Sequence, residues 1–145
     1  MKQFILSPVL VFFLSFPYTS FSQEGVFGKW VSIDDKSNEK KAIVEIYEKN
    51  GKVYGKIVFL YRKPGENPDP VCEACDKDDP RYKKKIIGME VIQGLEKDGE
   101  EYVNGEVLDP KYGNIYDCKI WREGEKLIVR GYLFFFYRTQ IWVRP

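Results

Sequence analysis

The chain has 145 residues, three cysteines and no histidine, and those counts set the chemistry open to it. Cys72 and Cys75, in Cys-Glu-Ala-Cys, have a spacing that fits a redox pair, half of a metal site or a local structural disulfide. A thioredoxin-like pair needs its first thiol at a helix N-terminus in a β-α-β setting, which lowers the thiolate pKa, and neither is legible around residue 72. A closed zinc site takes four ligands, and with one further Cys and no His the rest would be carboxylates. The disulfide is the favoured reading, because such bonds belong to oxidising compartments. The loop it closes is short, so it should stabilise by less than the roughly 3 kcal/mol expected for a 15-residue loop. The absence of His removes Ser-His-Asp and Cys-His hydrolases and most catalytic zinc sites. A carboxylate or Tyr enzyme survives that filter, but the chain is read as non-enzymatic, with no catalytic residue, cofactor or metal assigned.

Other candidates have plainer readings. Cys118 shares a face with Tyr116 and Ile120 and is expected to be a buried, unreactive thiol, with pairing to the Cys72 region as the alternative. Asp109-Pro110 opens a turn in which the Asp bonds its own backbone. Lys83-Lys-Lys85 lies near Asp76, Asp78 and Asp79 and reads as a solvated patch. Leu133-Phe-Phe-Phe-Tyr137 is different, because five consecutive apolar residues cannot all face inward in a strand of period two. Core filling is the first expectation for this run. An exposed contact with a second copy, another protein or a membrane surface is the other.

The elements that would hold these residues begin after a leader. Residues 1–22 have a basic start, an apolar core from Phe4 to Phe16 and a small-x-small ending at Ser20-Phe-Ser22, the pattern of a cleaved secretory signal. Pro8, Pro17 and several Ser argue against a membrane anchor, which takes roughly 20 apolar residues. No Cys precedes residue 72, so no thiol near the cleavage point could take a lipid. Residues 23–145 are therefore expected to form a single domain, periplasmic or secreted, with no transmembrane segment. The leader holds one Lys and no acid, so the remainder balances 22 basic against 22 acidic residues. Without a basic stripe, nucleic-acid binding is disfavoured.

Period-two alternation dominates that remainder. Ala42 to Tyr47 and Val53 to Leu60 flank Asn50-Gly51, a hairpin signal. Residues 61–85 break the pattern with four Pro and both members of the Cys pair, and a loop this long in a compact domain is where function is expected to sit. Strands resume at Ile86 and run to the C-terminus with tight turns between them. About eight strands and no amphipathic helix give an all-β, antiparallel up-and-down meander. A sandwich and a closed barrel both fit, and closure is favoured because it leaves no free edge.

Several blocks carry a resemblance: Gly28-Lys-Trp30, Gly55-Lys-Ile-Val, Ile86-Ile-Gly88-Met, Gly105-Glu-Val-Leu-Asp-Pro-Lys-Tyr-Gly113-Asn-Ile-Tyr116, Leu127-Ile-Val-Arg-Gly131-Tyr and Thr139-Gln-Ile-Trp142-Val-Arg144. Together they resemble the bacterial family called domain of unknown function 2147, some members of which carry a Cys pair in the long loop. The resemblance implies a small lipocalin-like, or calycin-type, barrel in an exported protein, with no activity attached. The opening Gly-x-Trp is also similar to the lipocalin start, in which the Trp closes the barrel end against an Arg of the last strand. That implies a pairing of Trp30 with Arg144, or with Arg138 in reserve.

The resulting expectation is an exported barrel that binds a small apolar or amphipathic molecule in the cell envelope. Val44, Phe59, Met89, Tyr116, Ile120 and Val129 are its inward-facing candidates by alternation. The alternatives are an envelope protein-interaction module or homodimer, using residues 133–137 and the 61–85 loop, and a redox or metal role for Cys72 and Cys75.

Overall fold

The computed structural model describes residues 25–145, so the expected leader lies outside the described residues. Eight strands follow one another: β1 (Gly28–Ile33), β2 (Lys40–Lys49), β3 (Lys52–Leu60), β4 (Glu90–Asp98), β5 (Glu101–Asp109), β6 (Asn114–Glu123), β7 (Lys126–Leu133) and β8 (Phe136–Val143). Each pairs antiparallel with its sequence neighbour, and Val143 of β8 pairs with Val31 of β1 to close the barrel. Closure gives every strand two partners, which the short connections alone could not guarantee. Between β2 and β3, Asn50 and Gly51 take φ of 53° and 75°, the two left-handed positions that match the twist of the flanking strands.

Alternation fixes most of the inward face. In β2 it buries Ala42, Val44 and Ile46, and in β3 Val53, Gly55 and Ile57. The register then shifts: Val44 pairs with Ile57, but Ile43 pairs with Phe59. Val58 is thus an extra residue that reverses the phase of everything after it. Leu60 swings inward opposite Ala42, and Phe59, an expected inward residue, stands outside at 48 % exposure with its ring edge-on to Tyr61. Strict alternation could not reveal the bulge.

Antiparallel order sorts the connections into two ends. The start of β1, the C-terminus and the turns at 50–51, 99–100 and 124–125 lie at one end, and the loops at 34–39, 61–89, 110–113 and 134–135 at the other. The first end is solid. Trp30, Ile46, Leu95, Ile120 and Leu127 are each at most 1 % exposed, so no water-sized gap adjoins them. Gly105 has no room for a side chain, because a Cβ there would come within 2.6 Å of Leu95.

Residues 61–89 have their own internal order. Val71 bridges to Lys85, the Cys72 amide donates to the Lys84 carbonyl (2.8 Å), and the Ile86 amide donates to the Pro70 carbonyl (3.0 Å). Arg81 donates to both carboxylate oxygens of Asp79 and to the Glu90 carbonyl, tying the loop to the start of β4. Val91 and Leu108 face away from the inward residues Ile92 and Val107, yet both are buried, in one cluster with Cys72, Cys75 and Ile86. The loop therefore packs as a buttress on the outer wall of β4 and β5.

Candidate functional site

The sealed end is built from the first and last strands. The Arg144 guanidinium lies 3.7 Å from the centre of the Trp30 ring and donates to the carbonyls of Phe27 (3.0 Å) and Lys29 (3.1 Å). The Trp30 Nε1–H donates to the Val26 carbonyl at 2.7 Å. Arg144 thus covers the ring and donates to two carbonyls of the first strand and its approach. Arg138, the reserve partner, is at the opposite end.

That opposite end is the mouth. Burial relaxes toward it: Leu60, Val107, Tyr116 and Gly131 face inward and keep part of their surface in solvent. Gly131 brings no side chain to this end. A Cβ there would lie 3.4 Å from the Tyr116 Cβ and 3.7 Å from a Val107 methyl, so a longer side chain would project into the cup. Arg138, which pairs with Gly131 across β7 and β8, forms a salt bridge with Asp35 through Nε and Nη2 and lies 3.9 Å from Asp34. The hydrogen bond from Arg138 holds the Asp35 carboxyl below its usual range, and Asp35 in turn raises the guanidinium pKa. Asp109, at the end of β5, also raises it, so Arg138 feels charge from two walls of the mouth.

Cys72 and Cys75 form a disulfide with Cα atoms 5.5 Å apart, and both are buried. The bond holds a tight bend against the β5–β6 turn: the Cys72 Sγ lies 3.6 Å from the Pro110 carbonyl oxygen, and the Ala74 carbonyl sits directly on Gly113. Neither sulfur can meet a reductant unless the loop undocks. Among the described residues, no three His, Cys, Asp or Glu side chains gather to hold a metal. Cys118 is unpaired and buried, and burial pushes its thiol up to about 12.

Apart from Phe59, which stands outside, the inward candidates separate into three groups. Val44, Ile120 and Val129 lie in the packed core and have almost no surface to offer a ligand. Met89 is buried at the seam between the loop and β4, beside a shallow outer depression of about 380 Å³ edged by Arg81, Lys84 and Gln93. Tyr116 alone is inward and partly open. Leu60, Gly131 and Asp35 were not singled out by sequence, and Arg138 only as the reserve partner of Trp30. For Arg138 there was a signal, a lone cation directly after an apolar run; for Asp35, in a polar loop, there was none. The run Leu133–Tyr137, for which core filling was the first expectation, is exposed throughout.

The sequence profile of a family described as uncharacterized proteins conserved in bacteria, domain of unknown function 2147, matches residues 28–144. The chain belongs to that family. The chain has a structural counterpart in a Helicobacter pylori protein, HP1028, whose structure is described as belonging to the lipocalin family. It superposes with a TM-score of 0.67 at 17 % identity, over 81 % of each chain. That likeness shows the lipocalin-like barrel fold. No curated protein matches the chain in sequence.

Proposed function

We propose that this protein is an exported, non-enzymatic binding protein that holds one small apolar or amphipathic molecule in the mouth of its barrel. The gradient of burial supports the reading: one end is packed solid, and at the other the inward residues Leu60, Val107 and Tyr116 are only partly buried, with the Asp35–Arg138 pair at the rim. An apolar floor with a few polar groups at the edge suits a ligand with one greasy and one wet end. The deep interior is filled, so the ligand would sit shallowly and keep part of its surface in solvent. The buried Cys72–Cys75 disulfide fits an oxidising compartment such as the periplasm or the outside of the cell.

Native mass spectrometry of the protein purified from its own host, compared with the denatured mass, tests this. Mass lost on denaturation is the expected result. Gly131→Leu should abolish it while leaving the urea midpoint nearly unchanged. Bare protein from the host, together with no uptake of an apolar fluorescent probe, would refute the proposal.

A further inference from the structure

The tip of the β7–β8 hairpin carries an apolar run that neither the core nor the mouth uses. Leu133, Phe134, Phe135, Phe136 and Tyr137 are each more than half exposed, and Phe135 completely so. Leu133 pairs with Phe136, which leaves Phe134 and Phe135 as a two-residue turn, and Phe134 takes a φ of 54°. A bulky aromatic is disfavoured in that left-handed region, where Asn or Gly fits without strain. A polar turn residue would relieve both the backbone conformation and the exposure, so nothing in the fold calls for phenylalanine at the tip. Tyr112, on the adjoining β5–β6 connection, and Ile115, at the start of β6, are also exposed at the same end.

We propose that this aromatic tip inserts into the interfacial layer of a lipid bilayer and docks the barrel mouth-first on a membrane surface. Shape and area favour lipid over a protein partner. The tip is a two-residue turn whose rings are almost wholly solvated. A protein would need a matching socket, whereas a fluid bilayer conforms to the protrusion. A stable protein interface uses about 800 Å² and 20–30 residues from each side, far more than a two-residue turn and its flanks provide. Reversible insertion at the interface needs only a few aromatic side chains, and Tyr112 and Tyr137 have the amphipathic rings that settle at headgroup level. The cations behind the run are engaged: Arg138 by Asp35, and Arg130 by the Thr139 hydroxyl and the Tyr137 ring at 4.5 Å. Insertion should therefore be driven by apolar burial, with little dependence on lipid charge. This inference does not depend on the mouth holding a ligand.

The test is flotation of the protein with vesicles of phosphatidylcholine alone and of phosphatidylethanolamine with phosphatidylglycerol. Binding to both, retained in about 0.5 M salt where charge attraction is screened, is expected. In a Phe134→Asn, Phe135→Ser double variant, partitioning should fall roughly a hundredfold, since burial of each ring contributes about tenfold or more. The melting temperature should hold or rise, because Asn tolerates the left-handed position. Wild-type protein that stays soluble, a variant that floats like the wild type, or a variant that melts lower would each overturn the proposal. So would a concentration-dependent dimer that the variant lacks, which would seat the tip on a second copy.

Discussion

Replacing Gly113 with Ala should undock the disulfide loop from the barrel, and the cost can be worked from two glycines of identical φ. Gly113 and Gly51 both sit at +75°, so an alanine at either meets the same left-handed strain, roughly 1–2 kcal/mol. Their surroundings differ. Around Gly51 nothing lies within 4 Å, whereas a Cβ on Gly113 would fall 1.8 Å from the Ala74 carbonyl oxygen and 2.5 Å from its carbon. No rotamer change relieves a clash with backbone, so the Cys72–Cys75 bend must retreat by well over an ångström. A gap of 0.5–1 Å already forfeits about a quarter to a half of each dispersion contact, and forced repacking typically costs about 1–3 kcal/mol. Gly113→Ala should thus lose about 2–5 kcal/mol in urea denaturation against about 1–2 for Gly51→Ala. Hydrogen exchange at the Cys72 and Ile86 amides should speed up only in the Gly113 variant. Equal costs for the two variants, or unchanged exchange in the loop, would refute the claim that the loop is docked through this contact.

Three further outcomes follow from the geometry. Arg144→Ala should cost about 1–3 kcal/mol by urea denaturation, because it uncovers Trp30 and strips two carbonyls of their donor. Cys118 should resist iodoacetamide in the native protein at pH 8 and react on unfolding; its folded thiol ionises only near pH 12 against 9.0 for the free group, so its contribution to stability should be present below pH 9.0 and lost as the pH rises toward 12. Asp35→Asn should cost less than about 1 kcal/mol, since the pair with Arg138 is well exposed, and should flatten the acid limb of the stability profile. The sign follows from the lowered carboxyl pKa: the pair stabilises above the unfolded value of 3.8 and fades as the pH falls below it.

Much of the barrel could be read without coordinates, because local rules govern it. Alternation in β2 and in most of β3, the Asn50-Gly51 turn and the run of short connections act between near neighbours in sequence, and together they specify an antiparallel meander. The sequence also makes a Cys72–Cys75 disulfide the favoured reading among a redox pair, a metal half-site and a local crosslink, and the structure forms that bond. The closure of β8 on β1 and the stacking of Arg144 on Trp30 join residues more than a hundred positions apart; closure is favoured because it leaves no free edge, and the stacking is implied only by the likeness to a lipocalin start.

Tertiary structure decided the rest. The extra residue at Val58 turned Phe59 outward and Leu60 inward, and a bulge is a property of two strands in register, not of one strand's pattern. Whether the interior is hollow depends on the summed volumes of side chains from eight strands. Those volumes fill one end of the barrel and leave Tyr116 and Gly131 at a shallow mouth. The long loop became a buttress because the backbone of Ala74 fits against a glycine on a distant turn. The aromatic run at 133–137 is plain in the sequence, but its exposure is not: the register of β7 with β8 places the turn inside that run and carries the rings beyond the barrel, where no core side chain can reach them.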